Sequence, residues 1–300
     1  MIKVEGHAKI NLTLDVLGKR DDDYHEVAMI MQSVALGDTI LLDKTGSDIA
    51  LKINLPWLVA DEKNLAWQAA ELVKKHCQIK GGVRMFLTKR IPVAAGLGGG
   101  SADAAAVLRG MNALYDLRLS DEELCALGAK IGSDIPFCVM GGTMMATGRG
   151  EILRALPSLP TCWIVLAKPH FSVSTPWVYS NYDSIQTPPH LDTETVEKTI
   201  IARDLLGTLA HLGNVLEYVT IQKYDIIAKI KQLMLGSGAV ASLMAGSGPT
   251  VFGVALKKRE ALKIARSLKE QVKGLSVFVA RTSGVGVRYY RQSILWQQFG

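Results

Sequence analysis

The sequence predicts an α+β protein built from two domains. Its 300 residues are about twice the length of a common domain. Runs rich in Val, Ile, Leu and Thr alternate with segments of helical periodicity in both halves, a pattern typical of sheets covered by helices. A stretch with two prolines at 156–160 interrupts this pattern and is the candidate linker.

The first 117 residues combine strands with two helices. Apolar runs at 10–17 and 39–42 are predicted strands, separated by clusters of Gly and Asp that favour turns. Residues 62–76 have helical periodicity, and 83–87 form a further predicted strand. An alanine-rich helix is predicted from about Ser101 to residue 117.

A third helix is predicted to begin at Ser120. Ser120 and Glu123 have the spacing of a capping box, in which each side chain bonds the backbone amide of the other residue. Apolar residues three and four positions apart continue the helix to a break at Gly132.

The second half also alternates between strands and helices. The predicted strands are 163–167, 250–255 and 276–280, and the predicted helices lie around 195–211 and 222–234. A polar, proline-containing region without assigned structure lies between them and extends to about His190. We therefore predict domains at 1–156 and 161–283 and leave 284–300 unassigned.

Composition excludes several classes of protein. The chain is 48% hydrophobic and 21% charged, as expected for a folded globular protein. No apolar run approaches the roughly 18 residues of a membrane-spanning helix, so no membrane partner is expected. The amino terminus lacks the pattern of a secretory signal, which predicts a cytoplasmic protein. The cysteines lack metal-ligand spacing and are predicted to be reduced thiols: Cys77, Cys125, Cys138 and Cys162.

The net charge of +6 raises the possibility of nucleic-acid binding. The stretch from Lys257 onward holds ten Lys or Arg and two Glu, so the rest of the chain is nearly neutral. Apolar residues in this stretch form one helical stripe, and the basic residues lie largely off it. The pattern is typical of the solvated face of a packed helix, and we expect no nucleic-acid partner.

A glycine-rich loop leads directly into the alanine-rich helix. Four glycines in five positions permit positive φ angles and let backbone N–H groups approach a ligand closely. The helix start adds unpaired N–H donors with a partial positive charge, so the segment is a candidate anion site. It lacks the Gly-Lys-Ser/Thr of a P-loop, and Ser101 replaces the third glycine of GxGxxG. Ser101 either caps the helix or offers a hydroxyl to a phosphate or metal.

Two charged residues in apolar surroundings are candidates for catalysis. Lys9 is a lone cation in an apolar strand and needs an anionic partner if buried. Asn11 shares its face of the strand by two-residue alternation. Asp134 precedes Ile135-Pro136, and the proline is predicted to keep Ile135 out of helical geometry. Asp134 is then either a turn residue bonding its own backbone or a carboxylate paired with Lys9.

Five segments, in order and spacing, resemble the GHMP small-molecule kinases. They are residues 8–12, 20–25, 92–106, 132–136 and 245–250. The resemblance spans about 3–283. It implies an amino-terminal domain like ribosomal protein S5 domain 2, a ferredoxin-like carboxy-terminal domain, and a site between them. It also implies ATP as phosphoryl donor and an alcohol acceptor. We expect a monomer or homodimer.

The resemblance assigns roles to individual residues. It implies that Asp134 is the catalytic base and that Lys9 orients it and stabilises negative charge. The implied nucleotide-binding residues are Asn64, Lys89, Pro92, Gly96, Leu97, Gly98, Gly99, Gly100 and Ser101. Mg²⁺ is expected because of the phosphate charge, although the sequence shows no set of metal ligands. Asp103 is assigned no chemistry, since a carboxylate in a first helical turn complements the helix dipole.

Within the family, the sequence is most similar to kinases whose acceptor is cytidine diphosphate methylerythritol, a small molecule. Tyr24 and His25 match the segment that contacts the cytosine ring, and Tyr179 matches an aromatic residue that stacks on it. The implied substrate-binding residues are Asn11, Tyr24, His25, Thr175, Tyr179, Gly246, Ser247 and Gly248. In one departure, Asp23 stands where the family has glycine, so a turn suited to glycine must accept aspartate.

Two alternatives stay open at this point. One is another GHMP kinase with a mevalonate-type, homoserine or sugar acceptor, although Tyr24-His25 argues against it. The other is a nucleic-acid module with an S5-like fold, which would use the basic carboxy-terminal helix. This second alternative explains neither the glycine-rich loop nor Asp134.

Overall fold

The computed structural model of the protein describes residues 1–290. The amino-terminal half contains β1 (Ile2–Lys19), β2 (His25–Thr45), β3 (Ile49–Ile53), α1 (Leu65–His76), β4 (Gly82–Thr88), α2 (Gly99–Tyr115), α3 (Asp121–Ala129), α4 (Ile135–Met140), β5 (Thr143–Thr147) and β6 (Ile152–Ala155). The carboxy-terminal half contains β7 (Trp163–Lys168), α5 (Thr175–Tyr182), α6 (Thr193–Ile201), α7 (Leu205–Ala210), β8 (Gly213–Asn214), α8 (Glu217–Lys223), α9 (Ile226–Gly236), β9 (Ala241–Met244), β10 (Val251–Ala255), α10 (Lys258–Gln271), β11 (Ser276–Ser283) and β12 (Val287–Tyr290).

One continuous sheet connects the two halves. Its main path has the order β12-β1-β2-β11-β7-β10-β9, and β3, β4, β5, β6 and β8 branch from it. The long strands β1 and β2 pair in antiparallel fashion along almost their whole length. β11 pairs with β2 at one end and with β7 along its length, so it belongs to both halves of the sheet.

Helix α2 forms the centre of the amino-terminal core. Small alanine side chains along it are fully buried, which lets the helix lie close to β1 and β2. Its first turn therefore sits beside β1, the strand that carries Lys9. α3 begins at Ser120 with the predicted capping box intact, confirming that signal.

The carboxy-terminal half packs α9 and α10 against β7, β10 and β11. α10 buries the predicted stripe of Ala261, Ile264, Ala265 and Leu268, and its basic residues are exposed. The predicted helix at 195–211 is instead two helices, α6 and α7. The turn at Arg203 (φ 58°) separates them, and Asp204 begins the second by accepting a bond from the Gly207 amide.

Two helices have a proline in the first turn, and at one of them we expected the proline to prevent helical structure. The prediction that Ile135 is kept out of helical geometry was wrong, since α4 begins at that residue. Pro136 lies in the first turn of α4, where the missing N–H would have no partner in any case. Pro176 occupies the same kind of position in α5, within the region left without predicted structure.

The chain returns to its first strand after β11. β12 pairs with β1, and Tyr289 donates a hydrogen bond to the Arg109 carbonyl oxygen at 3.1 Å. The predicted boundary at 156 falls between β6 and β7, and the division into two domains stays a prediction. Within residues 1–290, none of the helices combines the length and hydropathy needed to span a membrane.

Candidate active site

A cleft of about 860 Å³ opens between the glycine-rich loop, α5 and the turn at 246–248. All but two of the predicted site residues line it. The lining residues that were predicted are Lys9, Tyr24, His25, Asn64, Lys89, Pro92, Gly96, Leu97, Gly98, Gly99, Gly100, Ser101, Asp134, Thr175, Tyr179, Gly246 and Ser247. Asn11 lies behind Lys9, and Gly248 closes the turn that follows Ser247.

The glycine-rich loop has a backbone that other residues would strain. Gly96 and Gly98 have φ angles of 75° and 67°. A Cβ added at Gly96 would lie 2.1 Å from the Ala245 carbonyl oxygen, and one at Gly98 would lie 2.9 Å from Lys9 Cγ. The loop ends where α2 begins, so the unpaired amides of the first helical turn lie at the cleft. This cradle suits phosphate oxygens.

Ser101 is not the helix cap that one interpretation made it. α2 begins at Gly99, Gly98 occupies the cap position, and no side chain bonds the helix start. Because Gly98 adopts left-handed geometry at the cap position, the helix begins at Gly99, before Ser101. The Ser101 hydroxyl lies in the first turn and lines the cleft, where it is available to a ligand.

Lys9 and Asp134 lie together, as proposed from the sequence. Lys9 Nζ is 3.3 Å from Asp134 Oδ2 and donates a hydrogen bond to Asn11 Oδ1 at 3.0 Å. The Asp134 side chain makes no capping bond to α4, which excludes the interpretation as a turn residue bonding its own backbone. It is 30% exposed, against 6% for the Lys9 side chain. A buried cation thus holds a carboxylate that a substrate can reach.

Lys89 lines the same cleft, but buried carboxylates hold its ammonium group. Lys89 Nζ donates to Asp103 Oδ2 at 2.6 Å and to Asp38 Oδ2. Asp38 Oδ1 also accepts the amide of Ile91 at 2.8 Å. The expectation that Asp103 only complements the helix dipole was wrong, because this carboxylate turns inward to Lys89. Its other oxygen, Oδ1, has no partner among the described residues.

The electrostatics of this cluster follow from two carboxylates sharing one cation. Burial raises the pKa of Asp103 well above its usual range; Lys89 opposes this and Asp38 adds to it. Burial lowers the pKa of Lys89, but Asp103 and Asp38 more than offset it, and the net direction is upward. Lys89 therefore stays charged in the fold.

Helix α5 carries the opposite wall of the cleft. Thr175, Tyr179 and Asp183 are four residues apart and so share one face, and all three line the cleft. The Tyr179 and His25 rings lie 4.7 Å apart between centroids, tilted by 37°. His25 Nε2 is 2.7 Å from Asp183 Oδ1. Burial raises the pKa of Tyr179, so its hydroxyl stays protonated.

Tyr24 lies at the mouth of the cleft and is 52% exposed. The Arg149 guanidinium lies over its ring, 4.8 Å from the centroid. Asp23 adopts a φ of 63°, so the aspartate accepts the turn geometry that glycine would provide. Tyr24 is thus held beside a cation that was not among the predicted site residues.

Hydrogen bonds fix the turn at 246–248 to α5 and to β8, the short strand that pairs with β1. Ser247 Oγ and Thr175 Oγ1 share a hydrogen bond of 2.7 Å. Asn214, buried in β8 beside β1, donates to the carbonyl oxygens of Met244 and Gly246 at 2.9 and 2.8 Å. The Asn214 amide therefore sets the position of the turn relative to β1.

Five residues that shape the site were not predicted: Asp38, Asp103, Arg149, Asp183 and Asn214. Asp38 and Asp103 contact Lys89 from distant parts of the chain, and Asn214 acts from a two-residue strand, so no local pattern marks them. Asp183 could have been found, because a helix through Thr175 and Tyr179 places the next aspartate on the same face.

Family models match both halves of the chain. The model described as "GHMP kinases N terminal domain" covers residues 64–142, and the model described as "GHMP kinases C terminal" covers 198–274. They confirm the predicted fold class.

Curated relatives extend the similarity over nearly the whole chain. A 4-diphosphocytidyl-2-C-methyl-D-erythritol kinase of Macrococcus caseolyticus is 48% identical over 285 residues, which are 95% of this chain and 100% of the relative. An enzyme of the same name from Listeria monocytogenes strain HCC23 is 48% identical over 89% of this chain and 92% of its own.

Solved structures are also similar to this chain over nearly its whole length. A crystal structure of 4-(cytidine 5'-diphospho)-2C-methyl-D-erythritol kinase has a TM-score of 0.79 and 32% identity, covering 94% of this chain and 99% of that one. A homoserine kinase from Cytophaga hutchinsonii has a TM-score of 0.78 at 19% identity, covering 96% and 97% of the two chains, and this shows a shared fold alone.

Proposed function

Because the chain belongs to the GHMP kinase family, we propose that it transfers the γ-phosphoryl group of ATP to the 2-hydroxyl of 4-diphosphocytidyl-2-C-methyl-D-erythritol. The products are ADP and the 2-phosphate, in the non-mevalonate route to isoprenoid precursors. One observation carries the proposal: the Lys9–Asp134 pair lies in the same cleft as the first turn of α2. A carboxylate for the acceptor hydroxyl and a cradle for the donor phosphates are then side by side.

The glycine-rich loop fits the triphosphate of ATP. Backbone amides at the start of α2 are unpaired donors, and Gly98 leaves room that a Cβ would take. The Ser101 hydroxyl adds a donor or acceptor in the same turn. Asn64 and Pro92 line the cleft beyond this loop and are assigned to the rest of the nucleotide. Lys89 acts on the nucleotide from behind the loop, because its charge is held by Asp38 and Asp103.

Mg²⁺ is assigned to the phosphates of ATP. Residues 1–290 contain no group of three or more His, Cys, Asp or Glu placed to hold a metal ion. Mg²⁺ commonly keeps waters and binds through substrate phosphates with one or two protein oxygens. Ser101 and Asp134 both line the cleft, and the hydroxyl and carboxylate oxygens of these two residues would be available to such an ion. When bound, the ion neutralises phosphate charge.

The protein's own part in the reaction is positioning and proton transfer. Asp134 accepts the proton of the acceptor's 2-hydroxyl, and the oxygen attacks the γ-phosphorus as the bond to the ADP oxygen breaks. Lys9 holds the carboxylate in place and offers positive charge to the transferring group. Asn11 fixes the Lys9 ammonium from behind.

The far end of the cleft suits a cytosine base. Tyr179 offers a ring face, and His25 offers a ring nitrogen, both in the cleft. Tyr24, with Arg149 over its ring, is assigned to the same base from the open side. Thr175, Gly246, Ser247 and Gly248 form the wall assigned to the rest of the acceptor. We assign the reaction to the cytoplasm and expect the enzyme to be a monomer or homodimer.

An ADP-release assay tests the proposal. The purified enzyme with ATP and Mg²⁺ is offered the cytidylylated acceptor, mevalonate, homoserine and galactose in parallel. We expect ADP release with the first acceptor alone, and product analysis should place the phosphate on the 2-oxygen. Release with one of the others instead would assign the chain to another branch of the family, and release with none would overturn the proposal.

A further inference from the structure

We infer that Asp183 is a positioning residue that selects the acceptor's base by fixing the tautomer of His25. The inference deepens the proposed function and rests on it, since it concerns recognition of the same acceptor. Asp183 lies 158 residues from His25 in the sequence, and the two meet across the cleft.

The contact between the two side chains is short and sheltered. His25 Nε2 and Asp183 Oδ1 are 2.7 Å apart, and the side chains are 10% and 34% exposed. Nδ1 of His25 has no hydrogen-bond partner among residues 1–290. Because His25 lines the cleft, this second nitrogen is the one available to a ligand.

The backbone fixes where the carboxylate can be. Asp183 ends α5, and its amide donates to the Tyr179 carbonyl oxygen at 3.0 Å. The carboxylate and the Tyr179 ring therefore belong to one rigid helical turn, and the ring also lies 4.7 Å from that of His25. One turn of helix thus sets both the plane against which a base stacks and the nitrogen that meets its edge.

A carboxylate accepts hydrogen bonds and cannot donate them. At 2.7 Å from Asp183, Nε2 must carry the proton, and in the neutral imidazole Nδ1 is then a bare acceptor. The same logic orients metal-binding histidines, where a carboxylate on one nitrogen determines the state of the other. His25 therefore presents an acceptor to the ligand.

An acceptor at this position distinguishes cytosine from uracil. Cytosine carries an amino donor at C4, whereas uracil carries a carbonyl oxygen there. Nδ1 can bond the amino group, but it would face the carbonyl with no hydrogen between them. Leaving polar groups unpaired in this way reduces binding by about tenfold or more. Asp183 produces this preference without touching the base.

Asp183→Asn is the direct test. An amide can donate to Nε2 as well as accept from it, so it permits the Nδ1–H tautomer, which bonds a carbonyl. The ratio of kcat/KM for the cytidine acceptor to that for its uridine analogue is measured in both proteins. We expect this ratio to fall at least about tenfold in the variant, with kcat for the cytidine acceptor and KM for ATP within about threefold of wild type.

Asp225→Asn is the matched control. This substitution changes the charge in the same way at the exposed start of α9. The Asp225 side chain makes no cap bond there, and it is not part of the cleft. This variant should keep the wild-type ratio. An unchanged ratio in Asp183→Asn would overturn the inference, and so would a ratio that changes equally in both variants.

Nitrogen-15 NMR of the histidine side chains tests the inference without any turnover. The His25 signals are identified by their loss in His25→Gln. Wild type should show the Nε2–H tautomer, and Asp183→Asn should increase the Nδ1–H form. If wild type phosphorylates neither nucleotide acceptor, the proposed function fails, yet this measurement still decides the role of Asp183. Wild-type His25 in the Nδ1–H form would refute it.

Discussion

Two buried lysines line the same cleft in different electrostatic surroundings. Lys9 meets one carboxylate, Asp134, whose side chain is 30% exposed, and its second contact is the neutral amide of Asn11. Lys89 meets two carboxylates, Asp38 and Asp103, whose side chains are 0% and 5% exposed. The first pair remains open to a substrate, and the second is closed by the protein.

The difference shows that burial of a lysine does not by itself indicate catalysis. What matters is whether its counter-charge can also be reached from the cleft. By this criterion we assign Lys9 and Asp134 to the proposed reaction, and Lys89 to supporting the glycine-rich loop that is proposed to hold the nucleotide. The two groups should respond to mutation in different measurements.

Substitution in the open pair of Lys9 and Asp134 should cause the strongest loss of activity. Asp134→Asn should lower kcat by about 10²- to 10⁴-fold, because the acceptor hydroxyl loses its proton acceptor. The melting temperature and the affinity for ATP should stay close to wild type, as measured by thermal denaturation and by titration with a non-hydrolysable nucleotide. Asp225→Asn, with the same change of charge outside the cleft, is the control. A near wild-type kcat would remove Asp134 from the mechanism.

Substitution in the closed cluster of Lys89, Asp38 and Asp103 should lower the stability of the fold. Lys89→Met leaves two buried carboxylates without their cation, and the free energy of unfolding in urea should fall by about 3–5 kcal/mol. Lys9→Met is the matched comparison. It should cost less stability, because water can reach Asp134, and it should abolish most turnover. Equal losses of stability in the two variants would contradict the distinction between an open and a closed pair.

A substitution in the glycine-rich loop, which lies between the two lysines, should have an intermediate effect on the affinity for ATP. Gly98→Ala places a Cβ in left-handed geometry against the Lys9 side chain, at a cost of about 1–2 kcal/mol. The dissociation constant for a non-hydrolysable ATP analogue should rise about tenfold. Gly236→Ala is the control, since Gly236 ends α9 with open space where a Cβ would be. Unchanged affinity in Gly98→Ala would argue against the phosphate cradle.

A weaker effect, on the pH dependence of stability, is expected from Asp103 in the closed cluster. Because burial raises the pKa of Asp103, the folded protein binds a proton that the unfolded chain releases as pH rises above about 4. The contribution of Asp103 to stability is therefore lost as pH increases. Asp103→Asn cannot titrate, so it should gain on the order of 1 kcal/mol relative to wild type between pH 5 and pH 8. Urea unfolding at both values measures this. A difference that does not change with pH would contradict the raised pKa.

Much of the fold was predictable because its signals are local. The capping box at Ser120, the stripe of α10 and the strand alternation around Lys9 each lie within a few residues. One error has a clear physical cause. We expected Pro136 to keep Ile135 out of a helix, although a proline in the first helical turn removes no hydrogen bond. α4 was missed for this reason, and α5 has a proline at the same kind of position in a region left without assigned structure.

The site was predictable where the family motifs mark it, and the remainder depends on contacts between distant segments. Asp38 in β2, Asp103 in α2 and Lys89 just after β4 meet in the folded protein, and Asp183 reaches His25 from the other half of the chain. A carboxylate turned inward has the same sequence signature as one that faces water. Only the assembled sheet shows which is which.

The pairing of β12 with β1 has a consequence for synthesis on the ribosome. Residues 3–6 pair with residues 287–290, so this stretch of the strand that carries Lys9 acquires its second neighbour only after residue 287 has been synthesised. Until then its outer edge is open to any other extended chain. We expect nascent chains that stall before residue 287 to need a chaperone, and fragments ending there to aggregate rather than form a smaller active enzyme.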